Sequence, residues 1–400
     1  MARVAIVGAG LAGYTTARTL RDTGYDGEIV VVGAESHRPY DRPALSKSYL
    51  AGEIDAAELS LETAGERLDV DWRLGTPATG LDVPGRTLEF ADGSTLPADE
   101  IVLATGSAPR RLVEPAASAE PDVPGRGASV HVLDTIEHAD ALRAALVPGA
   151  AVVVAGAGFV GLEAAATALA LGAASVTVAC AGSAPLGRFG APASAAVRAL
   201  HERRGVRFVT GARVAGLGRG ADGLPNGVRL DDGRRIEGSV VIVGLGSVPD
   251  TAWLAGSGLA RTQHGAIVCD EAGRAAPGIH AAGDCAAWPG SYGGHWTLAQ
   301  EQAPEVARDI VTPTIAPEFR NPPYLWSDQH GARLQFAGRL RGDERISLEA
   351  GSLDDSDPFL VYRDPQGVEV AALGIDQGRL MTRWRKTHRT PAAPRAAVAA

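Results

Sequence analysis

Cysteine is scarce in this chain of 400 residues, with three only, Cys180, Cys269 and Cys285. None forms a CxxC pair, which excludes an obvious redox disulfide, and three thiolates are too few for a four-cysteine iron–sulfur cluster. The nine histidines show no metal-ligand spacing, so no metal site is expected. Positive charge is also in short supply. The net charge of −9 argues against a general nucleic-acid binder, whose footprint would be basic. No apolar run reaches the length of a membrane span, and Met-Ala-Arg leads directly into a β-branched run without the apolar core of a signal peptide. The expectation is a protein without a membrane partner, working in a reducing cytoplasm. Glycine, in contrast, is plentiful at 50 residues, as expected where backbone approaches phosphates repeatedly.

Two groups of those glycines share one form, Gly8-Ala-Gly10-Leu-Ala-Gly13 and Gly156-Ala-Gly158-Phe-Val-Gly161. Each follows a β-branched run (Val4–Val7, Val152–Ala155) and opens an alanine-rich stretch that reads as a helix. Strand, glycine turn and helix make a dinucleotide cradle. The first glycine makes the tight turn, the second admits the pyrophosphate, and the third lets helix and strand pack closely. Leu11 and Ala12 in one motif, and Phe159 and Val160 in the other, lie at the helix starts and belong to the same candidate sites. Glu35, just after the predicted Ile29–Val32 strand, is placed to accept hydrogen bonds from an adenosine ribose. Two fingerprints imply two dinucleotides, FAD beside a nicotinamide, and hence electron transfer.

The pattern predicts an α/β fold with two Rossmann-like dinucleotide-binding domains, the FAD domain interrupted by the NAD domain, and a small C-terminal α+β domain. The expected boundaries are residues 1–112 and 237–321 for the FAD domain, 113–236 for the NAD(P)H domain, 322–388 for the C-terminal domain and 389–400 for a flexible tail. Arg38–Lys47 is too proline-rich for an ordinary helix and is expected to cross the cofactor as a loop. Asp92-Gly93 predicts a hairpin turn, and Asp231–Gly233 a second turn. Ile101–Gly106 and Val240–Gly246 each read as a buried strand ending in glycine. Gly278–Asp284 reads as a strand ending in an acid at a helix start.

Several of these marks together resemble the FAD-dependent ferredoxin reductases that serve bacterial haem-thiolate monooxygenases and Rieske-type oxygenases, the group of the putidaredoxin and rubredoxin reductases. They are Pro39-Tyr-Asp-Arg-Pro with Leu45-Ser-Lys47, Ala104-Thr-Gly106, Gly156–Glu163, Ala282-Gly-Asp284, His295-Trp296 and Trp326-Ser-Asp-Gln329. The likeness runs from Val4 to about Arg385. It implies hydride transfer from NAD(P)H to FAD, then delivery of single electrons to a two-iron ferredoxin. By position it makes Glu35 a ligand of the FAD ribose and Asp284 a ligand of the ribityl–pyrophosphate region. Lys47 and Glu163 become a catalytic pair beside the flavin, and Trp296 and Trp326 lie toward the partner-facing side. Arg42, Ala104, Thr105, Gly106, Gly246, Gly283 and His295 complete the candidate cofactor contacts. Glu163, taken to lie in the first turn of its helix, would also favour the helix dipole.

Three positions depart from the family pattern. Cys180 stands where an acid usually holds the nicotinamide-side ribose, Gly294 precedes His295 in place of glutamate, and Ala303 replaces a glycine. The first bears on cofactor choice: NADH is expected, with NADPH as the alternative donor and Arg188 as the first candidate clamp for its extra phosphate. The competing functions are an NAD(P)H oxidase or peroxide reductase of the same fold, and a flavin-binding protein with little turnover. Missing cysteines near Arg42–Lys47 count against the thiol-dependent enzymes. Arg379, Arg383, Arg385, Lys386, Arg389 and Arg395 stand against Asp376 alone at the C-terminal end, and with Arg333, Arg339, Arg341 and Arg345 they suggest a basic dock. Arg389 and Arg395 fit a solvated tail better. A monomer or weak homodimer is expected.

Overall fold

Val4–Val7 and Ile29–Val32 carry no polar residue, the composition of parallel strands buried on both faces. In the computed structural model, which describes residues 2–112, 127–290, 295–313 and 321–389, they are neighbours in one sheet. Its order is Arg274–Ala276, Ile279–Ala281, Glu100–Leu103, Arg3–Val7, Glu28–Val32, Asp71–Arg73. A second sheet, parallel throughout, repeats the arrangement as Val206–Thr210, Ser175–Cys180, Ala151–Ala155, Val240–Val243, Ser129–His131. In each sheet the strand before the glycines lies between the strand that follows its helix and a strand from much later in the chain. Connections diverge at its C-terminal end and open a crevice there.

The first sheet includes strands from both sides of the second nucleotide unit, so the chain leaves and returns. Outgoing Ser107–Pro109 and returning Ser247–Pro249 pair with each other, antiparallel. Each unit also carries a three-stranded antiparallel meander, one containing the Asp92-Gly93 turn and one the Asp231–Gly233 turn. The C-terminal module is a five-stranded antiparallel sheet, Tyr324–Gln329, Ala332–Gly338, Glu369–Ile375, Phe359–Arg363, Arg345–Ala350, with the helix Gly378–Thr387 packed on it. It shares an apolar core with the second unit: the Phe189 and Phe336 rings are 4.9 Å apart, and the Tyr362 hydroxyl donates to the Phe189 carbonyl at 2.7 Å. Among the described residues no helix is long and apolar enough to cross a membrane.

Three expectations need correction. The second unit does not end at residue 236, because Val240–Val243 lies within its sheet between Ala151–Ala155 and Ser129–His131, and the chain returns only afterwards. Arg38–Lys47 is not a plain loop, because Arg42–Ser46 winds as a 3-10 helix followed by one α-turn at Ser48–Ala51. Pro43 falls in the first turn of the 3-10 helix, where its fixed φ fits and no amide is missed. Asp284 is not at a helix start either. It sits in a turn after Gly283 (φ +80°), followed by the short strand Ala286–Ala287, and the next helix begins at Trp296. Most of the expected linker, Gly294 and the tail from residue 390 lie outside the described residues.

That next helix, Trp296–Val311, is fastened to the first sheet by an ionic cluster. Arg274 donates to Asp309 at 2.7 and 2.5 Å, and His280 Nε2 lies 3.1 Å from the same carboxylate, whose side chain is 3% exposed. Replacing Asp309 with alanine leaves both groups without their buried anion. The expected loss is about 3 kcal/mol of stability, measured by urea unfolding.

Candidate functional site

The glycines divide the work as their φ angles and neighbours require. Gly8 has φ +118°, and a Cβ there would lie 2.1 Å from the Ala104 carbonyl oxygen. At Gly13 it would lie 1.9 Å from the Gly8 oxygen, whereas at Gly10 it would meet nothing within 4 Å. The second fingerprint repeats this: Gly156 (φ +111°) abuts the Gly244 oxygen at 2.2 Å, Gly161 abuts the Gly156 oxygen at 2.5 Å, and Gly158 faces open space. The helices Leu11–Asp22 and Phe159–Ala170 start directly after the open glycines, with no side-chain cap. Their first amides therefore have no intrahelical acceptor and point toward the open side, where an anion fits. Two such cradles suit the pyrophosphates of two dinucleotides.

Around the first cradle the charged groups converge. Tyr40 donates to Glu35 at 2.6 Å, and Arg42 pairs with the other Glu35 oxygen. Arg42 also donates to the Asp134 carbonyl at 2.6 Å and so reaches the second unit. A carboxylate has room for further donors, so Glu35 can still accept ribose hydroxyls. The Ala104–Gly106 turn, Gly246 and Asp284 come together: Ser107 donates to Asp284 at 3.1 Å, Thr105 Oγ1 donates to the Asp250 carbonyl at 2.6 Å, and the Gly246 carbonyl accepts from the Arg110 amide. Burial raises the Asp284 carboxyl above its ordinary range, while Ser107 and Arg42 oppose the shift. Ligand hydroxyls donating to it would oppose it further. Gly283 lets this turn lie against Ala12 of the first cradle helix, 3.1 Å from where a Cβ would stand.

Lys47 and Glu163 form an ion pair, Nζ to Oε2 2.8 Å, with Glu163 buried at 4% exposed and Lys47 partly buried at 18%. Ser46 donates to the same oxygen and Ser327 to Oε1, each at 2.5 Å. Glu163 is one turn inside its helix, not in the first turn, because the helix begins at Phe159. Side-chain partners, then, and not the helix dipole, stabilise the charge. Ser46, Ser327 and Asp41 were not singled out by the sequence. Asp41 is hydrogen-bonded by Trp296; burial raises its pKa, and Lys47 and Trp296 pull it back.

Trp296 begins an aromatic run. Its ring is 5.4 Å from Trp326, edge-on; Trp326 stacks with Tyr324 at 6.1 Å; and the Arg385 guanidinium lies 4.0 Å over Tyr324. Burial lowers the pKa of His295 to about 4, with Arg188 adding to the effect. Arg188 itself stacks on Phe159 and Phe189. Cys180 ends its strand buried, its thiol donating to the Ala184 carbonyl at 3.3 Å, and burial pushes its pKa up. Cys269 and Cys285 are buried too, and Ala303 is fully enclosed in its helix.

Known proteins match over nearly all of this architecture. Residues 2–303 match the family model described as pyridine nucleotide-disulphide oxidoreductase, and residues 324–400 match that described as reductase C-terminal. A biphenyl dioxygenase system ferredoxin–NAD(+) reductase component of Paraburkholderia xenovorans is 35% identical over 94% of this chain and 90% of its own. A putidaredoxin reductase of Pseudomonas putida is 34% identical over 92% and 87%. The solved covalent putidaredoxin reductase–putidaredoxin complex superposes with a TM-score of 0.87 at 31% identity, covering 96% of this chain and 92% of that one. This chain belongs to the FAD-dependent ferredoxin reductases. It is an oxidoreductase whose cofactors are FAD and NAD(H).

Gly10→Ala and Gly8→Ala should therefore fail differently. The Gly10 variant should fold normally but retain less FAD on purification, read from the flavin-to-protein absorbance ratio. The Gly8 variant should not fold, since its Cβ collides with backbone.

A second prediction follows from His295 and His330, both held at about 4 by burial against 6.5 when free. Below pH 6.5 the unfolded chain takes up protons that the fold refuses, so stability is full above 6.5 and declines toward pH 4. His330→Gln should flatten that decline in melting temperature.

Proposed function

We propose that this enzyme takes electrons from NADH and delivers them singly to a two-iron ferredoxin that feeds a Rieske-type or haem-thiolate oxygenase. Relatives named for a biphenyl dioxygenase system and for putidaredoxin support that partner class. When bound, FAD supplies the conversion from two-electron to one-electron chemistry that a nicotinamide lacks. In this reading the first cradle (Gly8, Gly10, Leu11, Ala12, Gly13) holds its pyrophosphate. Glu35 and Arg42 take the adenosine end, and Ala104–Gly106, Gly246, Gly283 and Asp284 line the remainder. The second cradle (Gly156, Gly158, Phe159, Val160, Gly161) takes the nicotinamide dinucleotide, with Cys180 beside its ribose. Lys47 and Glu163 stand where the nicotinamide meets the flavin, and orient it while excluding water. His295, Trp296 and Trp326 line the exit side. The FAD domain comprises residues 1–112 and the chain from the returning strand Ser247–Pro249 to 321, interrupted by the NAD domain, which keeps Val240–Val243, and it is followed by the C-terminal module from 322. The enzyme works in the cytoplasm, as a monomer or weak homodimer.

The single observation that carries this reading is the Trp296–Trp326–Tyr324–Arg385 run, which links the Lys47–Asp41 region to the basic C-terminal helix. On that helix Arg379, Arg383 and Lys386 are exposed and without an ion pair among the described residues. Arg333, by contrast, is tied to Asp328 at 2.7 Å and is removed from the proposed dock. The deciding experiment compares NADH-driven reduction of a two-iron ferredoxin, ferricyanide and oxygen. Ferredoxin reduction should be fastest, and it should slow as salt rises because exposed charges are screened beyond about 8 Å at 0.15 M. Ferricyanide reduction should respond less. Arg383→Glu should reproduce the salt effect with FAD content unchanged. Oxygen reduction exceeding ferredoxin reduction would favour the oxidase instead.

Cofactor choice follows from Cys180. A buried thiol neither accepts ribose hydroxyls as a carboxylate does nor repels a 2′-phosphate, and Arg188 is engaged by two aromatic rings. NADH should be preferred only modestly over NADPH. Cys180→Glu should widen the ratio of kcat/KM values in favour of NADH, and a wild-type enzyme that strongly prefers NADPH would contradict the assignment.

A further inference from the structure

Behind Glu163 runs a continuous chain of hydrogen bonds that the site as described does not use. Ser327 Oγ donates to Glu163 Oε1 at 2.5 Å, and Gln329 Nε2 donates to Ser327 Oγ at 2.8 Å. His201 Nε2 lies 2.8 Å from Gln329 Oε1, and His330 Nε2 lies 3.1 Å from His201 Nδ1. Ser327, Gln329 and His201 are all buried. The members come from three places: Glu163 from the second cradle helix, His201 from the helix Ala191–Glu202, and Ser327, Gln329 and His330 from the first strand of the C-terminal sheet and its turn.

The charge at one end dictates every proton along the chain. A carboxylate only accepts, so Ser327 must give Glu163 its single proton. Gln329 must then present its NH₂ group to Ser327 and its carbonyl to His201. His201 must in turn carry its proton on Nε2, which leaves Nδ1 bare to accept from His330. A flipped Gln329 would set two acceptors against each other somewhere in a buried site, at the cost of an unpaired polar group. Burial lowers the pKa of His201 and brings that of His330 to about 4. Both rings stay neutral at working pH, as this ordering requires of His201.

We propose that Ser327, Gln329 and His201 are positioning residues for hydride transfer. They lock the Glu163 carboxylate against Lys47 and make the geometry of that pair depend on the seating of the C-terminal module. The inference rests on the reading that the Lys47–Glu163 pair borders the flavin. A positioning group that lets a reactive site slip has effects well beyond those of its own hydrogen bond.

Two measurements test it on the full-length protein. Nitrogen-15 NMR of histidine-labelled protein, with and without FAD, should report His201 as the Nε2–H tautomer, and S327A should release that preference. Stopped-flow mixing with NADH should show the limiting rate of flavin reduction falling roughly tenfold in S327A and Q329L, with half-saturating NADH unchanged. S327T should recover the rate. H201L should slow the reaction, and H201Q, whose amide can replace the Nε2 donor, should recover it; this pair decides the matter if S327A does not retain FAD. An Nδ1–H tautomer in the wild type, or wild-type rates in S327A and H201L alongside a slow E163A, would overturn the proposal and leave the assignment of the pair intact. Wild-type rates in both E163A and K47A would overturn that assignment and the proposal with it.

Discussion

A carboxylate that is 4% exposed dominates the assembly of this molecule. Burying Glu163 without partners would cost several kcal/mol, so its donors must arrive together. Lys47 and Ser46 come from the segment after the first cradle, Ser327 comes from the C-terminal sheet, and the carboxylate itself rides on the second cradle helix. Apolar neighbours fasten the same three pieces. Leu50, Leu162 and Leu325, each within four residues of a member of the cluster, share one buried core. Packing and charge therefore support each other: the core excludes water, and a drier site strengthens each polar contact inside it. None of the three pieces can shift without exposing the pair or stranding a charge.

The two cradles are nearly identical in backbone and unlike in what flanks them. Both use a left-handed first glycine against a carbonyl and an open middle glycine before an uncapped helix. Near the first, Glu35 is already engaged by Tyr40 and Arg42, which fix its orientation before any ligand arrives. Near the second, the strand ends in a thiol bonded to its own loop. One site is preorganised for hydroxyl donors and the other is neutral. That contrast suits a cofactor retained through turnover beside one that must leave.

What the sequence made legible was legible for steric reasons. Only glycine fits at Gly8 and Gly13, so the fingerprints reported a backbone geometry directly, and the apolar strands Val4–Val7 and Val152–Ala155 reported burial on both faces. The misreadings came where one local signal has two meanings. Ala282-Gly-Asp284 has the look of a helix cap, yet the Gly283 turn feeds a strand that pairs with Ile267–Val268. Pro43 reads as a helix breaker but sits in the first turn of a 3-10 helix that begins at Arg42. The roles of Ser327 and Gln329 escaped because the motif containing them served only as a family mark. Their inward direction was nonetheless written in the alternation of the strand, where Leu325, Ser327 and Gln329 are buried and Tyr324, Trp326 and Asp328 are less so. A polar residue on the inward side of a strand needs a buried partner, and here that partner is Glu163.

The same alternation separates two tasks on one strand. Its inward residues reach the ion pair, while its outward aromatics, Tyr324 and Trp326, join Trp296 to Arg385. The helix that supplies Arg385 is anchored by Met381 and Trp384, both buried, with the Trp384 indole donating to Glu369 at 2.9 Å and His388 stacked on its ring. Arg379, Arg383 and Lys386 project from its exposed side. Charges steer a partner by fixing its approach, which requires that they be held in a fixed relation to the point of electron exit. In the proposed function the two buried anchors supply that rigidity, and the cation over Tyr324 ties the docking face to the aromatic run. An acidic protein can thus present a locally positive face at the one place where the reading needs it.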